Sequence, residues 1–164
     1  NNIEEIVLKS VEAFNADKKM LLCGNGGSAS DAQHIASELS GRFYLERRPL
    51  FAEALHVNSS FVTAVANDYG YDNIYSRMVE AAGRDGDILI GISTSGNSTN
   101  VVNAIEKANK IGMTTIGFTG EKGGKMNDIC DITIRIPSTD TPRIQELHIL
   151  VGHIICQLIE EELF

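Results

Sequence analysis

Met20-Leu21-Leu22-Cys23-Gly24-Asn25-Gly26-Gly27-Ser28 decides the fold. It opens on an apolar run of strand length, breaks at the glycines and Asn25, and resumes as a helix with apolar periodicity. A second unit repeats the design: Ile88-Leu89-Ile90-Gly91-Ile92 runs into Ser93-Thr94-Ser95-Gly96-Asn97-Ser98, and a helix follows at once. Loops of this kind turn backbone N–H groups and hydroxyls toward one spot with a helix N-terminus behind it, which makes a place for a phosphate or another anion. Two of them, at the carboxyl ends of parallel strands, lie where open α/β sheets bind their ligands.

Outward from these units the pattern alternates. Ile3, Ile6, Val7 and Phe14 recur at helical spacing, and the chain opens on Asn1 with that helix under way, so we expect an N-terminal helix that is cut short. Strands are expected at Met20–Cys23, Phe51–Leu55, Ile88–Ile92, Thr114–Phe118 and Ile132–Ile136. Helices are expected from about Ser28 to Ser40, at Ser59–Asn67 and Asp72–Ala82, over Thr99–Ile111 stopped by Gly112, and from Pro142 to about Glu161. Strand–helix alternation of this kind predicts an α/β fold, a parallel sheet with helices on both faces, in one domain spanning residues 1–164.

A chain of 164 residues with 43% hydrophobic and 22% charged side chains can bury enough surface to fold without disulfides. The net charge of −8, with no basic run, argues against nucleic acid or an anionic membrane surface as partner. Cys23, Cys130 and Cys156 are far apart, each in an apolar stretch, and read as buried thiols in a reducing compartment. Neither a signal peptide nor an apolar run of about 18 residues is present, so a cytoplasmic protein is expected.

Chemistry concentrates on two helices. His34 and Glu38 stand one turn apart on the helix after the first loop; they are either a solvated i,i+4 pair or, beside a phosphate site, groups able to ligate zinc or move protons. The closing helix carries Gln145, His148 and His153, with Ile144, Leu147, Val151, Ile154, Ile155 and Leu158 as its packing stripe. Gln145 and His153 fall within about 80° of one another around that helix but about 12 Å apart along it, a stretch for two ligands of one ion unless the helix bends or a second subunit contributes. His153, between Gly152 and Ile154, also suits a core histidine. Asn67-Asp68 is a helix-ending pair or a site element, Arg42 meets a phosphate or one of the 22 acidic side chains, and His56 reads as structural.

Taken in order, Gly24-Asn25-Gly26-Gly27-Ser28, His34-x3-Glu38-Leu-x-Gly-Arg42, Asn67-Asp68, Ser93-Thr94-Ser95-Gly96-Asn97-Ser98, Arg143-Ile144-Gln145-Glu146-x-His148 and His153 resemble the bacterial phosphoheptose isomerases of the sugar isomerase (SIS) superfamily, from Leu21 to Leu158. The resemblance implies a three-layer, five-stranded flavodoxin-like sheet and a homotetramer; we expect the active site to be shared between subunits, because a single-domain chain offers few walls for a sugar phosphate and the closing helix is apolar on more than one face. It implies conversion of sedoheptulose 7-phosphate to D-glycero-D-manno-heptose 7-phosphate, the first step toward the heptose of lipopolysaccharide or capsule, without a nucleotide cofactor. By the same carry-over, Asn25, Gly26, Gly27, Glu38, Asn67, Asp68, Ser93, Thr94, Ser95, Ser98 and Gln145 would contact substrate. Glu38 and His153 would be base and acid, and one zinc per subunit would be held by His34, Glu38, Gln145 and His153. The main rival is a non-catalytic SIS tetramer that binds the replication initiator DnaA; such proteins lack the Glu38/His153 pair. A sugar-phosphate-sensing SIS domain would be joined to a DNA-binding module, and an isomerase of another phosphorylated ketose would share both loops.

Overall fold

In the computed structural model, which describes residues 1–164, five strands form one parallel sheet: β1 (Met20–Gly24), β2 (Ala52–Ala54), β3 (Ile88–Ile92), β4 (Thr114–Thr119) and β5 (Ile132–Arg135). Their order is β2-β1-β3-β4-β5, with Leu22 opposite both Ala54 and Ile90, and Ile90 opposite Ile116. This is the flavodoxin-like order, whose direction of winding reverses between β1 and β3. The two glycine- and serine-rich loops follow those two strands, so they flank the switch point.

Alternation along each strand builds two cores. Met20, Leu22, Ile88, Ile90 and Ile92 pack on one face under α1 (Asn2–Asn15), α2 (Gly27–Ser40) and α7 (Thr141–Leu163). Leu21, Cys23 and Leu89 pack on the other under α3 (Ser59–Tyr69), α4 (Ile74–Ala82), α5 (Thr99–Ile111) and the short α6 (Met126–Ile129). Strands β1 and β3 are buried throughout, as parallel strands covered on both sides must be.

Several expectations need correction. The segment read as one helix from Asp72 starts as a 3-10 turn, Tyr71–Asn73, because Gly70 at φ 85° ends α3 and redirects the chain. The short helix α6 carries too few apolar positions for periodicity to reveal it. Of the proposed packing stripe on α7, Ile144 and Ile155 are buried and Val151 and Leu158 pack half-buried against the core, but Leu147 and Ile154 are exposed, and His148, Gly152, Cys156 and Ile159 face inward as well. The core histidine is therefore His148, fully buried with Nε2 3.1 Å from the Thr119 carbonyl oxygen, and not His153. Cys23 and Cys156 are buried as expected, while Cys130 is half-buried.

Burial lowers the His148 pKa, against a smaller upward pull from its bond to Thr119. The unfolded chain, with histidine near pKa 6.5, then binds the proton that the folded chain refuses, so this contribution to stability is complete above about pH 6.5 and declines as pH falls. His148→Gln should flatten the melting temperature against pH between about 6.5 and 5, measured by thermal unfolding beside the parent chain.

Candidate functional site

After β3 the second loop gathers hydroxyls. The buried Ser93 Oγ lies 2.9 Å from Ser98 Oγ and 3.3 Å from Ser95 Oγ, and Ser95 Oγ accepts the Asn97 N–H at 3.1 Å. Ser98 stands at the N-cap of α5 without a side-chain capping bond, so the hydroxyl cluster and the helix N-terminus together present donors to an anion. Thr94 and Ser95 also line a cavity of about 280 Å³ shared with Lys122, Ser138, Thr139 and Thr141. Gly96 makes this turn at φ 68°, where an added Cβ would stand 1.9 Å from the Gly123 carbonyl oxygen. Gly96→Ala should therefore displace the loop, destabilise the fold by at least ~1–2 kcal/mol and raise KM for a phosphorylated substrate, read by steady-state kinetics with thermal unfolding.

The first loop is tied to the second. Asn25 and Asn100 exchange side-chain amide bonds at 2.9 and 2.8 Å, linking the head of α2 to the first turn of α5. Tyr71 donates its hydroxyl to Asn25 Oδ1 at 3.1 Å, and the Tyr75 hydroxyl donates to the Gly24 carbonyl. Asn25 thus holds the two loops in register and keeps one Nδ2 hydrogen for a ligand. Gly27 opens α2 against Gln145, whose Nε2 would lie 2.6 Å from a Cβ placed there.

Lower on α2, His34 Nε2 lies 3.1 Å from Glu38 Oε1 and 3.4 Å from Nε2 of His153 on α7. The two helices approach this closely because Gly152 has no side chain: a Cβ there would meet Ile35 Cδ1 at 2.5 Å. One ligand atom from each of His34, Glu38 and His153 lies within 4.8 Å of the others, so the trio could hold a metal ion. Tetrahedral bonds of about 2.0–2.1 Å place ligand atoms about 3.3 Å apart; the two contacts of His34, at 3.1 and 3.4 Å, match that spacing, and Glu38 and His153 lie within 4.8 Å of one another. The rings of His34 and His153 meet edge-on with centroids 4.8 Å apart, which brings their Nε2 atoms to 3.4 Å of one another. Phe43 covers His153 with its ring centroid 5.5 Å away. Burial, then the Glu38 and Glu160 carboxylates, push the Cys156 thiol up to about 12, so it stays protonated beside these groups.

Of the four residues implied as zinc ligands, the chain brings three together. Gln145 lies instead against Gly27, seven residues and roughly 10 Å up the α2 axis from His34. Asn67 and Asp68 sit exposed on the last turn of α3, bonded to one another at 2.8 Å and to neither loop. Arg42 pairs weakly with Glu46 at 3.8 Å in the open.

Other residues at the site carry little sequence signal. His56 joins Gly24, Asn25, Ser59, Thr63 and Tyr71 around a cavity of about 240 Å³, where burial lowers its pKa and its Nδ1 has no partner. Its place just after β2, at a carboxyl strand end, was the available clue. Asp31, one turn before His34, buries an unpartnered Oδ2, and burial raises its pKa against the opposing pull of His34.

A sequence model of the SIS domain matches residues 1–120. A phosphoheptose isomerase from Clostridium acetobutylicum is 55% identical over 162 residues, covering 99% of this chain and 83% of the relative. One from Aliarcobacter butzleri is 59% identical over 154 residues, 94% of this chain and 82% of the relative. Among solved structures, a phosphoheptose isomerase from Francisella tularensis superposes with a TM-score of 0.94 at 39% identity, covering 98% of this chain and 85% of that one. One from Neisseria gonorrhoeae gives 0.88 at 43%, covering 96% and 86%.

Proposed function

Because the chain belongs to the phosphoheptose isomerase family of SIS-domain proteins, we propose that Glu38 and His153 are the base and acid of its reaction. The reaction is aldose–ketose isomerisation, of sedoheptulose 7-phosphate to D-glycero-D-manno-heptose 7-phosphate. The rival reading as a non-catalytic DnaA-binding scaffold has no support among these relatives. The observation that carries the assignment of roles is the approach of Glu38 and His153, from two different helices, to within 4.8 Å of one another beside His34.

Moving the carbonyl from C2 to C1 takes a proton from C1, passes through an enediol and returns a proton to C2, with protons crossing between the two oxygens. Glu38 has one carboxylate oxygen turned to His34 and the other free to take the C1 proton. His153 relays a proton at the oxygens. Ser93, Thr94, Ser95 and Ser98, with the N-terminus of α5, bind the phosphate at the far end of the sugar. Asn25, Gly26, Gly27 and Gln145 orient the chain between, with Asn67 and Asp68 as further hydroxyl contacts.

Zinc suits the His34, Glu38 and His153 donors, and when bound it supplies a Lewis acid for a carbonyl oxygen. Gln145 would join them only if its side chain left Gly27. A homotetramer with a shared site fits two features. Leu147, Leu150 and Ile154 leave an exposed apolar stripe on α7. Glu38 also lies eleven residues beyond Gly27, about 16 Å along α2, farther than an extended heptose phosphate reaches from the loops of the same chain. No helix is long and apolar enough to cross a membrane. We place the enzyme in the cytoplasm, on the route to a surface-glycan heptose.

The test is turnover of sedoheptulose 7-phosphate by metal-stripped and zinc-loaded protein beside His34→Ala. Zinc should raise kcat in the parent chain and not in the variant; equal rates in both metal states would remove the metal from the reaction.

A further inference from the structure

Arg47 and Glu160 form an ion pair at 2.8 Å with side chains only 1% and 2% exposed. Enclosure of this kind is costly unless every donor and acceptor is used. Here they are. Glu160 accepts the backbone N–H groups of Phe43, Tyr44 and Leu45 at 2.9, 2.8 and 3.0 Å as well as Arg47 Nε. Arg47 donates from Nη2 to the Glu38 carbonyl at 2.9 Å, and from Nη1 to the carbonyls of Leu39 at 2.8 Å, Gly41 at 3.1 Å and Arg48 at 3.1 Å.

These bonds reach both members of the acid/base pair without touching substrate. Arg47 satisfies the last carbonyls of α2, including that of Glu38 itself, which the helix leaves without partners. Glu160 lies two turns beyond His153 on α7, and the segment it holds places the Phe43 ring over His153. The α2 end, the crossing segment and α7 are thereby fixed to one charged centre.

We propose that Arg47 and Glu160 are positioning residues for the isomerisation: a buried clamp that sets Glu38 of α2 against His153 of α7. The proposal rests on the reading of Glu38 and His153 as the acid/base pair. Only a planar fork with five N–H donors serves one carboxylate and several diverging carbonyls at once, so lysine keeps the charge and loses the geometry. Glutamine at 160 keeps the shape but turns an NH₂ toward backbone donors.

The experiment compares Arg47→Lys and Glu160→Gln with the parent chain, with Glu38→Gln as control for the underlying site and Val79→Ala as a core variant far from it. Each protein is assayed for kcat and KM with sedoheptulose 7-phosphate, titrated with Co²⁺ as a visible-absorbing metal probe, and melted. Loss of an outer support typically costs about 10–100-fold in activity or metal affinity. Both clamp variants should lose kcat on that scale with KM changed less than about threefold, and bind Co²⁺ correspondingly weaker. Val79→Ala should lose thermal stability and keep kcat. Clamp variants that melt early yet keep parental kcat and Co²⁺ affinity would reduce the pair to a structural role and overturn the proposal. Should Glu160→Gln fail to fold, Arg47→Lys, which retains the buried charge, decides. Near-parental activity in Glu38→Gln would instead strike the acid/base reading beneath it.

Discussion

Glu38→Gln should lower kcat for sedoheptulose 7-phosphate by about 10²–10⁴-fold, the range that a positioned general base contributes. The amide is nearly isosteric and keeps the hydrogen-bonding shape beside His34, so fold and assembly should survive. What disappears is an oxygen able to accept the C1 proton. Far-ultraviolet circular dichroism and gel filtration would confirm an intact protein, and KM should stay within a fewfold because the phosphate loops lie at the other end of α2. A variant that keeps a tenth or more of parental kcat would remove Glu38 from the base's role.

Glu160→Ala should cost about 3–5 kcal/mol, the penalty for leaving one member of a buried ion pair alone. For a chain of this length the melting temperature should fall by about 6–20 °C. The substitution strands the Arg47 guanidinium and three backbone N–H groups away from water. The pair also carries a pH signature. Burial works to raise the Glu160 carboxyl, but the N–H groups of Leu45, Phe43 and Tyr44 and the Arg47 guanidinium outweigh it and hold its pKa below the usual carboxylate range. Its contribution is therefore fully present above the unfolded value near 4.3 and is lost as pH falls through the lower folded value. The gap in melting temperature between parent and variant should narrow below about pH 4. A constant gap would mean that packing, not charge, accounts for the loss.

What the sequence made legible is what chain-local chemistry determines. The Gly- and Ser-rich loops announce themselves because few residues satisfy their turns, and His34 with Glu38 because helical period alone stacks them. The parallel sheet with helices on both faces followed from alternation, and its flavodoxin-like order from the family resemblance. By contrast, the approach of His153 to His34 depends on α2 lying against α7 through the gap at Gly152, a packing event between residues far apart in sequence. The same limit hid the Asn25–Asn100 amide pair. On α7, apolar residues occur on more than one face, so periodicity could not say that His148 faces the sheet and His153 faces α2. Arg42 and Arg47 look alike as neighbouring cations; only the location of Glu160 makes one a solvated side chain and the other a buried clamp. The 3-10 turn before α4 depends on how Gly70 leaves α3.

The most direct test of the proton-transfer account is exchange at C1 of the substrate, followed by proton NMR in D₂O. Parental enzyme should replace a C1 hydrogen of sedoheptulose 7-phosphate with deuterium at a rate comparable to turnover, because Glu38, with its side chain 24% exposed, can trade its proton with solvent. Glu38→Gln should show neither exchange nor product. Exchange at the parental rate in Glu38→Gln would contradict the account and send the search for the base to another side chain.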